Sequence, residues 1–162
     1  MIRKPAWLPS QIEYDGDWHL FLNVSYAVFE RDLKRYPKVM YHDHIVFIDK
    51  RLLDSDREEG FWHLISRKDQ ETGERLPDIE RARKITWVRP IIEHFWADEV
   101  VEFDKDEGRR GVRSYLWLRD YDYVVILQKK RQRKSKIAFL ITGYHVDRSY
   151  RRSLERKYRN RL

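Results

Sequence analysis

The last third of the chain consists of short runs of β-branched and aromatic residues separated by charged turns. The four clearest runs span 100–103, 114–118, 123–127 and 137–142. Short runs at this spacing are typical of antiparallel strands that are connected one after another. We therefore expect residues 99–147 to form an antiparallel sheet of four to five strands, against which the rest of the chain must pack.

The N-terminal part shows helical periodicity instead. Apolar residues recur every three to four positions over 17–36, which predicts an amphipathic helix. Asp15 or Asp17 can cap its start, and Pro37 should end it. The residues before this helix, 1–16, contain two prolines and a glycine, so we expect them to form an irregular arm.

The middle of the chain combines a strand, a loop and a second helical region. Residues 45–48 are β-branched or aromatic and indicate a buried strand. The segment around His63 is compatible with either a strand or a helical turn. Residues 68–77 are charged and include a glycine, which predicts an exposed, mobile loop. Asp78 can cap the next helix, and Pro90 should split or bend it.

Helices that precede a run of antiparallel strands describe an α+β fold. We expect N-terminal helices packed on one face of the C-terminal four- to five-stranded sheet, followed by a basic C-terminal helix with a thin apolar stripe. The length predicts a single domain, 1–162. Its parts would be the arm, a mainly helical part at 17–98, the sheet, and the basic helix at 148–162. The other, concave face of the sheet would be open to nucleic acid.

The composition favours a polyanionic partner. Charged residues make up 38% of the chain and the formal net charge is +7, which points to nucleic acid ahead of a membrane surface. The absence of cysteine excludes disulfides, thiolate nucleophiles and cysteine-bound zinc, and fits a cytoplasmic location. No signal-peptide core and no run of about 18 apolar residues is present, so we expect no membrane partner.

Two segments carry most of the excess positive charge. Residues 129–136 contain six basic residues and no acid, and the C-terminal helix is also strongly basic. Either segment could be an ordinary solvated surface, or it could follow a phosphate backbone and make affinity fall with salt. The residues that we select here as candidate nucleic-acid contacts are Lys129, Lys130, Arg131, Arg133, Arg151 and Arg152.

His63 is the strongest candidate for acid–base chemistry among the six histidines. It follows Phe61 and Trp62, which can anchor it and restrict water. Arg67 and Lys68 lie a few residues further on, and Arg67 is a further candidate contact to nucleic acid. Its imidazole could therefore lie beside a phosphate and accept a proton from a ribose 2′-hydroxyl. The alternative is a structural histidine covered by an aromatic side chain.

A basic stretch on the central predicted helix supplies permanent cations, at Arg81, Arg83 and Lys84. Guanidinium groups match the geometry of phosphate and keep their charge during a reaction. Lys84 would be a further contact to nucleic acid. Ion pairs with the many acidic residues of 69–80 are an equally good interpretation of this stretch.

Thr142 and Tyr144 end the longest clear strand, with Gly143 between them. Strand alternation places the hydroxyl and the phenol on the same face, where they could hold a phosphate oxygen or stack on a base. Glycine would let a substrate backbone approach closely. The competing explanation is that threonine and tyrosine simply favour β-strands.

Other motifs exclude several functions. The chain has no glycine-rich phosphate loop and no Gly-x-Ser-x-Gly elbow, which leaves little support for nucleotide hydrolysis or serine esterase chemistry. The His-Asp-His triplet at 42–44 looks like a metal-ligand motif, but no matching set of ligands follows it. We therefore expect neither a metal nor another cofactor.

Several short motifs, in this order, resemble those of phage- and mobile-element-borne proteins of the barnase–EndoU–colicin–RelE ribonuclease superfamily. They are Phe61-Trp62-His63-Leu64-Ile65, the stretch from Asp78 to Lys84 with residues 85–93 after it, Tyr115-Leu116-Trp117-Leu118, residues 122–127, and Leu140-Ile141-Thr142-Gly143-Tyr144. The resemblance implies an α+β fold and metal-independent RNA cleavage through a 2′,3′-cyclic phosphate. It also implies His63 as the acid or base, Arg81 and Arg83 as phosphate ligands, and Thr142 and Tyr144 as their partners at the strand end.

The leading hypothesis is therefore an RNA endonuclease, toxin-like or phage-related, that acts without a cofactor. Its partners would be RNA and an immunity or antitoxin protein. The alternative is a non-catalytic basic module that binds RNA or DNA through residues 129–136 and the last helix. A structural domain whose charge only confers solubility is the third hypothesis.

Overall fold

The structure, a computed structural model, describes residues 3–53 and 55–162. Within these residues the chain forms eight strands, which we number in order. They are Met40–Tyr41 (β1), His44–Phe47 (β2), Ser66–Lys68 (β3), Arg75–Pro77 (β4), Val100–Asp106 (β5), Val112–Leu118 (β6), Tyr123–Gln132 (β7) and Ser135–His145 (β8).

Six of these strands form one sheet, in the order β1-β2-β8-β7-β6-β5. The strands β5 to β8 pair antiparallel in sequence order, as the pattern of the last third predicts. However, β2 adds to the other edge of β8 in parallel orientation, and β1 pairs with β2. The expected antiparallel sheet of four to five strands is therefore corrected to a mixed sheet of six. A local pattern indicates a strand at 45–48, but it cannot show which distant edge that strand will join.

Five α-helices accompany the sheet, and the α+β prediction is confirmed. They are Trp18–Phe29 (α1), Glu59–Ile65 (α2), Ile79–Arg83 (α3), Val88–Glu93 (α4) and Arg148–Arg159 (α5). The Asp17 carboxylate caps α1 by accepting a hydrogen bond from the Leu20 amide at 3.1 Å. A π-helical turn at Glu30–Lys34 extends α1 and ends shortly before Pro37.

The segment 68–77 differs from its prediction, because much of it belongs to a hairpin. Strand β3 pairs with β4, so that Lys68 lies opposite Arg75. In the turn between them, the Asp69 carboxylate accepts hydrogen bonds from the amides of Glu71 and Thr72 at 2.8 and 3.2 Å. These bonds define the turn of the hairpin, and most of the charged segment is exposed, as expected.

The second helical region breaks earlier than predicted. The backbone leaves the helical conformation at Lys84, and a 3-10 turn at Ile85–Trp87 leads into α4. Pro90 lies in the first turn of α4. The amides of a first turn have no partner within the helix, so the missing proline N–H costs little at this position.

The sheet curls towards the face that carries helices α1 to α4. On this face the Tyr41 hydroxyl of β1 donates a hydrogen bond to the Glu102 carboxylate of β5 at 2.5 Å, so the two sheet edges approach each other. The larger apolar core fills the space between the helices and this face. The concave face is therefore packed with helices, and the prediction of an open concave face for nucleic acid is wrong.

The opposite, convex face carries a second, smaller core beneath α5. Leu154 of α5 is fully buried there, and Tyr150 and Tyr158 are partly buried beside it, as the thin apolar stripe predicts. Helix α5 covers residues of β5, β6 and β7, including Phe103 and Trp117. Over the described residues, each helix is too short or too polar to span a lipid bilayer.

Candidate nucleic-acid site

Helix α2 is held against the sheet by three fully buried side chains, Phe61, Leu64 and Ile65. Its first turn lies directly on the end of β2, where the Gly60 amide donates to the carbonyl of Asp49 at 2.9 Å. A Cβ atom at Gly60 would lie only 3.1 Å from the backbone of Asp49. This close packing leaves the other side of α2 to face outward, and it places His63 there, partly exposed.

Arg81 joins three elements at one point. Its Nη1 donates hydrogen bonds to the carbonyl oxygens of Ser66 and His63, at 2.6 and 3.3 Å. Its guanidinium carbon lies 5.1 Å from the centre of the Tyr144 ring. The Asp78 carboxylate caps α3 by accepting from the Arg81 amide at 3.1 Å, which fixes the backbone that carries the side chain. Arg81 is therefore a positioned charge and not a freely moving surface cation.

A pocket of about 440 Å³ opens in front of Arg81. Four cations and two hydroxyl side chains surround it together with His63, and we call it the cationic pocket. It is lined by His63, Ser66, Arg67, Lys68, Arg75, Arg81, Ile141 and Thr142. Among the described residues, none of those that line it is acidic. Two of the four cations have carboxylate partners behind the lining, since Asp78 lies 3.7 Å from Arg81 and Glu59 lies 3.2 Å from Arg75. The lining itself is positive and therefore favours an anion.

The charges around His63 favour its neutral form. Burial of the imidazole and the nearby charge of Arg75 lower the pKa of His63 from its ordinary value of 6.5. The carboxylates of Glu59 and Asp49 act in the opposite direction, and Glu59 also forms an ion pair with Arg75 at 3.2 Å. A neutral imidazole near pH 7 can accept a proton, which is what a general base must do.

Thr142 lies at the cationic pocket, as expected, but its hydroxyl proton already has a partner. The Thr142 hydroxyl donates to the carbonyl of His63 at 2.8 Å. The side chain therefore positions α2, and it cannot donate the same proton to a phosphate. Gly143 has a similar packing role, because a Cβ atom there would lie 2.6 Å from the Tyr123 hydroxyl and 3.4 Å from Leu64. The close approach at this glycine is made by the protein and not by a substrate.

Tyr144 lies next to the cationic pocket and does not line it. It shares the convex face with Thr142, because their partners on β7 are Val124 and Ile126. Its ring makes an edge contact with Tyr150 of α5, at 4.7 Å between ring centres. The Tyr144 ring therefore packs against the Arg81 guanidinium and helps to position it.

Arg83 and Lys84 point away from the cationic pocket. The Arg83 side chain donates to the carbonyl of Ile12 at 3.0 Å and therefore holds the N-terminal arm. Lys84 is only 4% exposed, and its ammonium lies 2.5 Å from Nδ1 of His145. Burial lowers the pKa of Lys84, and burial together with the Lys84 charge lowers that of His145. The structure does not place Lys84 where a bound strand could reach it.

The basic segment 129–136 forms the tip of the β7–β8 hairpin, and we call it the hairpin tip. All six of its basic residues are exposed, including the four selected from the sequence: Lys129, Lys130, Arg131 and Arg133. Lys129 lies 3.5 Å from Asp104, and Lys136 lies 2.5 Å from Asp43. The hairpin tip is a separate cationic surface that does not contribute to the cationic pocket.

The two selected arginines of α5 behave differently from each other. Arg151 is paired with Asp122 at 2.7 Å and lies 3.7 Å from Glu155, so its charge is largely balanced. Arg152 is exposed. Neither residue lines the cationic pocket.

Two lining cations, Lys68 and Arg75, are not among the residues selected from the sequence. The sequence places both in an expected mobile loop, where no position can be predicted. A hairpin signal is nevertheless present, because a short polar turn containing Gly73 separates Arg67 from Leu76, which are paired in the register. That signal would place Lys68 opposite Arg75 and close to His63.

Over the described residues, no three histidine, aspartate or glutamate side chains converge in a way that could hold a metal ion. His42 and Asp43 lie in the turn between β1 and β2, and His42 contacts Glu102 at 2.8 Å. No protein-family model matches the chain, and neither a curated protein nor a solved structure matches it. The superfamily resemblance therefore stays a prediction.

Proposed function

We propose that this protein is a metal-independent RNA endonuclease that cleaves by attack of a ribose 2′-hydroxyl on the adjacent phosphate. The observation that carries the proposal is the cationic pocket, which combines a partly exposed imidazole, whose pKa is lowered by burial and by Arg75, with four cations and no lining carboxylate. Cations offset the charge of the phosphodiester, and the imidazole supplies the titratable group that proton transfer requires.

In the proposed reaction, His63 accepts the proton of the 2′-hydroxyl as the 2′-oxygen bonds to phosphorus. The bond from phosphorus to the 5′-oxygen breaks, and the Lys68 ammonium donates a proton to that oxygen. Arg81 remains charged and offsets the negative charge that develops on the phosphate oxygens. The products are a 2′,3′-cyclic phosphate and a free 5′-hydroxyl.

The environments of these residues suit those roles. Arg81 is fixed by two main-chain carbonyls, so little reorganisation is needed as charge develops. Arg67 and Lys68 are exposed and form no ion pair with any acid in the described part of the chain, so both are free to meet a substrate. Burial, and after it the charge of Arg75, lowers the pKa of His63 and so favours the neutral imidazole that can accept the proton.

The direct test is to incubate the pure protein with RNA in the presence of a chelator. We expect fragments that end in a 2′,3′-cyclic phosphate, and a strand with a deoxyribose before the scissile phosphate should resist cleavage. His63→Ala should lower kcat/KM by roughly 10²- to 10⁴-fold. The matched control is His19→Ala, at an exposed position of α1, and it should cleave like the unaltered protein.

Two results would contradict the proposal. One is RNA that stays intact, and the other is cleavage by His63→Ala at the unaltered rate. Salt-sensitive binding of RNA without cleavage would instead support the non-catalytic binding module.

A further inference from the structure

Helix α5 leaves one part of the convex face uncovered, where β2 and β8 pair. Phe47 and Phe139 lie side by side there, because they are partners in the parallel register. Their ring centres are 6.5 Å apart, and both side chains are partly exposed. Ile45, two residues before Phe47, is exposed on the same face. Two adjacent aromatic rings at a surface have no evident role in the core.

Lysines surround these rings. The Lys38 and Lys50 ammonium groups lie 4.5 and 5.9 Å from the centre of the Phe47 ring. Lys130 lies 5.1 Å from the centre of the Phe139 ring. Within residues 3–53 and 55–162, none of these three lysines forms an ion pair with an acid. The rings therefore lie among cations that no described carboxylate balances.

The two lysines over Phe47 are close enough to affect each other. Burial and the charge of Lys50 lower the pKa of Lys38. Holding like charges together is unfavourable unless an anion offsets them. This part of the surface would therefore gain electrostatic stability from a negatively charged ligand.

The surface around the rings is concave. A groove of about 640 Å³ is lined by Phe47, Phe139, Lys50 and Arg51, and a second groove of about 500 Å³ on the other side of Phe47 reaches Arg133. Asp49 also lines the first groove, but Arg51 balances it at 2.6 Å. The concavity is thus apolar at its floor and positive at its rim.

We infer that this surface binds unpaired RNA nucleotides beside the scissile phosphate, and we call it the phenylalanine platform. It consists of Phe47, Phe139, Lys38, Lys50 and Lys130. The inference rests on the proposed function, because it names the form of substrate that the cationic pocket receives. Bases stack on aromatic rings while cations follow the phosphates. A duplex buries the faces of its bases, so it could use only the lysines.

The phenylalanine platform and the cationic pocket are neighbours. Ile141 lines the cationic pocket, packs against the smaller core of the convex face, and follows Phe139 by two residues, a separation of about 7 Å along a strand. The register between β7 and β8 is irregular at Ile141. On the α2 side, Asp49 and Arg51 are close enough to influence the charge state of His63. One strand can therefore place a phosphate in the cationic pocket and its next bases on the rings.

The test measures binding of a short 2′-O-methyl RNA strand and of the same sequence as a duplex. The 2′-oxygen of this probe carries no proton, so the strand cannot be cleaved. We expect the single strand to bind more tightly than the duplex. The variant with both Phe47→Leu and Phe139→Leu should lose roughly tenfold or more in affinity for the single strand. Its affinity for the duplex should not change.

Phe95→Leu is the matched control, because Phe95 is also partly buried but packs against Tyr41 and His42. It should bind both probes like the unaltered protein. Leucine keeps both platform positions apolar, and a circular dichroism melt checks that the double variant is folded. The inference would be overturned if the double variant has the same melting temperature as Phe95→Leu but binds the single strand as tightly as the unaltered protein.

Two other outcomes would also overturn it. One is an equal loss of affinity for the strand and the duplex. The other is a dimer of the unaltered protein in sedimentation that the double variant abolishes, because a second copy would then occupy the platform.

The outcomes for the platform and for the proposed function can be told apart. If RNA is not cleaved but the double variant binds the uncleavable strand more weakly, the proposed function fails and the platform remains. If cleavage depends on His63 but the double variant binds normally, the platform fails and the proposed function remains.

Discussion

The cationic pocket and the hairpin tip are both strongly basic, but the fold treats them differently. In the cationic pocket, cations from β3, β4 and α3 converge beside His63, and Arg81 is held by two main-chain carbonyls. At the hairpin tip, the cations come from two adjacent strands and extend into solvent. The comparison shows that the density of positive charge does not identify a site, whereas the way the charges are held does.

The acidic residues do not distinguish the two regions, because two cations of each lie within ion-pair distance of an acid. The hairpin tip also borders a groove that is lined by His44 and four of its cations. What sets the cationic pocket apart is Arg81, which two main-chain carbonyls hold beside His63. In the proposed function, chemistry therefore belongs to the cationic pocket, and attraction of the polyanion to the hairpin tip.

After His63→Ala, the largest expected effect is that of Arg81→Ala in the cationic pocket. We predict a fall in kcat/KM of roughly 10²- to 10³-fold, because a positioned charge is removed. The free energy of unfolding should also fall by about 1–3 kcal/mol, because the Ser66 carbonyl loses its hydrogen bond from Arg81 and the His63 carbonyl keeps only the one from Thr142. Cleavage kinetics and a denaturant melt measure the two effects.

Arg83→Ala is the matched control for that prediction, because Arg83 is on the same helix but holds the N-terminal arm. It should retain cleavage at temperatures where it is folded. Equal losses of activity in folded Arg81→Ala and Arg83→Ala would remove the distinction between the cationic pocket and its surroundings.

A moderate effect is expected at the hairpin tip. Replacing Lys129, Arg131 and Arg133 together by glutamine should weaken RNA binding and make it less sensitive to salt. The slope of log affinity against log salt should decrease by about 0.7 for each phosphate that the variant no longer neutralises. We expect kcat to stay unchanged, and binding measured over a salt series tests this. A fall in kcat at saturating RNA would show that the hairpin tip takes part in the chemistry.

A smaller effect is expected from Arg75→Gln, and it depends on pH. In the folded protein, burial and Arg75 keep the pKa of His63 below 6.5, so the neutral base persists as the pH falls below that value. Removing the Arg75 charge, and freeing Glu59 from it, should move that pKa upward. The acidic limb of the kcat/KM profile should therefore shift to higher pH, with little change on its plateau. If the acidic limb of the kcat/KM profile does not shift, a group other than His63 is the base.

The same pKa shift has a consequence for stability. Because protonation of His63 is harder in the folded chain than in the unfolded chain, its contribution to stability is present above about pH 6.5. That contribution is lost as the pH falls through the lower, folded-state pKa. Arg75→Gln should reduce this loss of stability at low pH. Thermal melts of both proteins at a series of pH values measure it.

The smallest effect is expected from Thr142→Val, which should lower the free energy of unfolding by about 1 kcal/mol. The reason is that the carbonyl of His63 loses the hydrogen bond from the Thr142 hydroxyl. Thr142→Ser keeps the hydroxyl and should restore the stability, and cleavage should change little in either variant. Loss of cleavage in Thr142→Val without loss of stability would assign Thr142 to the substrate, as the sequence alone suggests.

Local features of the fold are predictable because their signals are local. The four strands of the last third follow from runs of β-branched and aromatic residues, and Asp17 and Asp78 act as the predicted caps. The break at Lys84 is less predictable. Pro90 is the obvious breaker in the sequence, but it occupies a first turn where it does no harm.

The candidate site is predictable only in part. His63, Arg67, Arg81 and Thr142 do line one pocket, although they come from four elements. Arg83 has the same residue type as Arg81 but points the other way, because residues two positions apart on a helix do not share a face. Arg75 escapes sequence reasoning because only the β3–β4 register brings it to the pocket.

By itself the sequence determined the helix caps, the antiparallel strands of the last third, the basic hairpin tip and the exposed charge that favours a polyanion. Only the tertiary structure decided that β2 joins β8 in parallel, that the concave face fills with helices, and that His63 meets the cations of three other elements. The physical reason is the distance along the chain between the residues that interact. Caps and periodicity depend on neighbours a few residues apart, whereas strand partners and pocket walls depend on packing between segments distant in the chain.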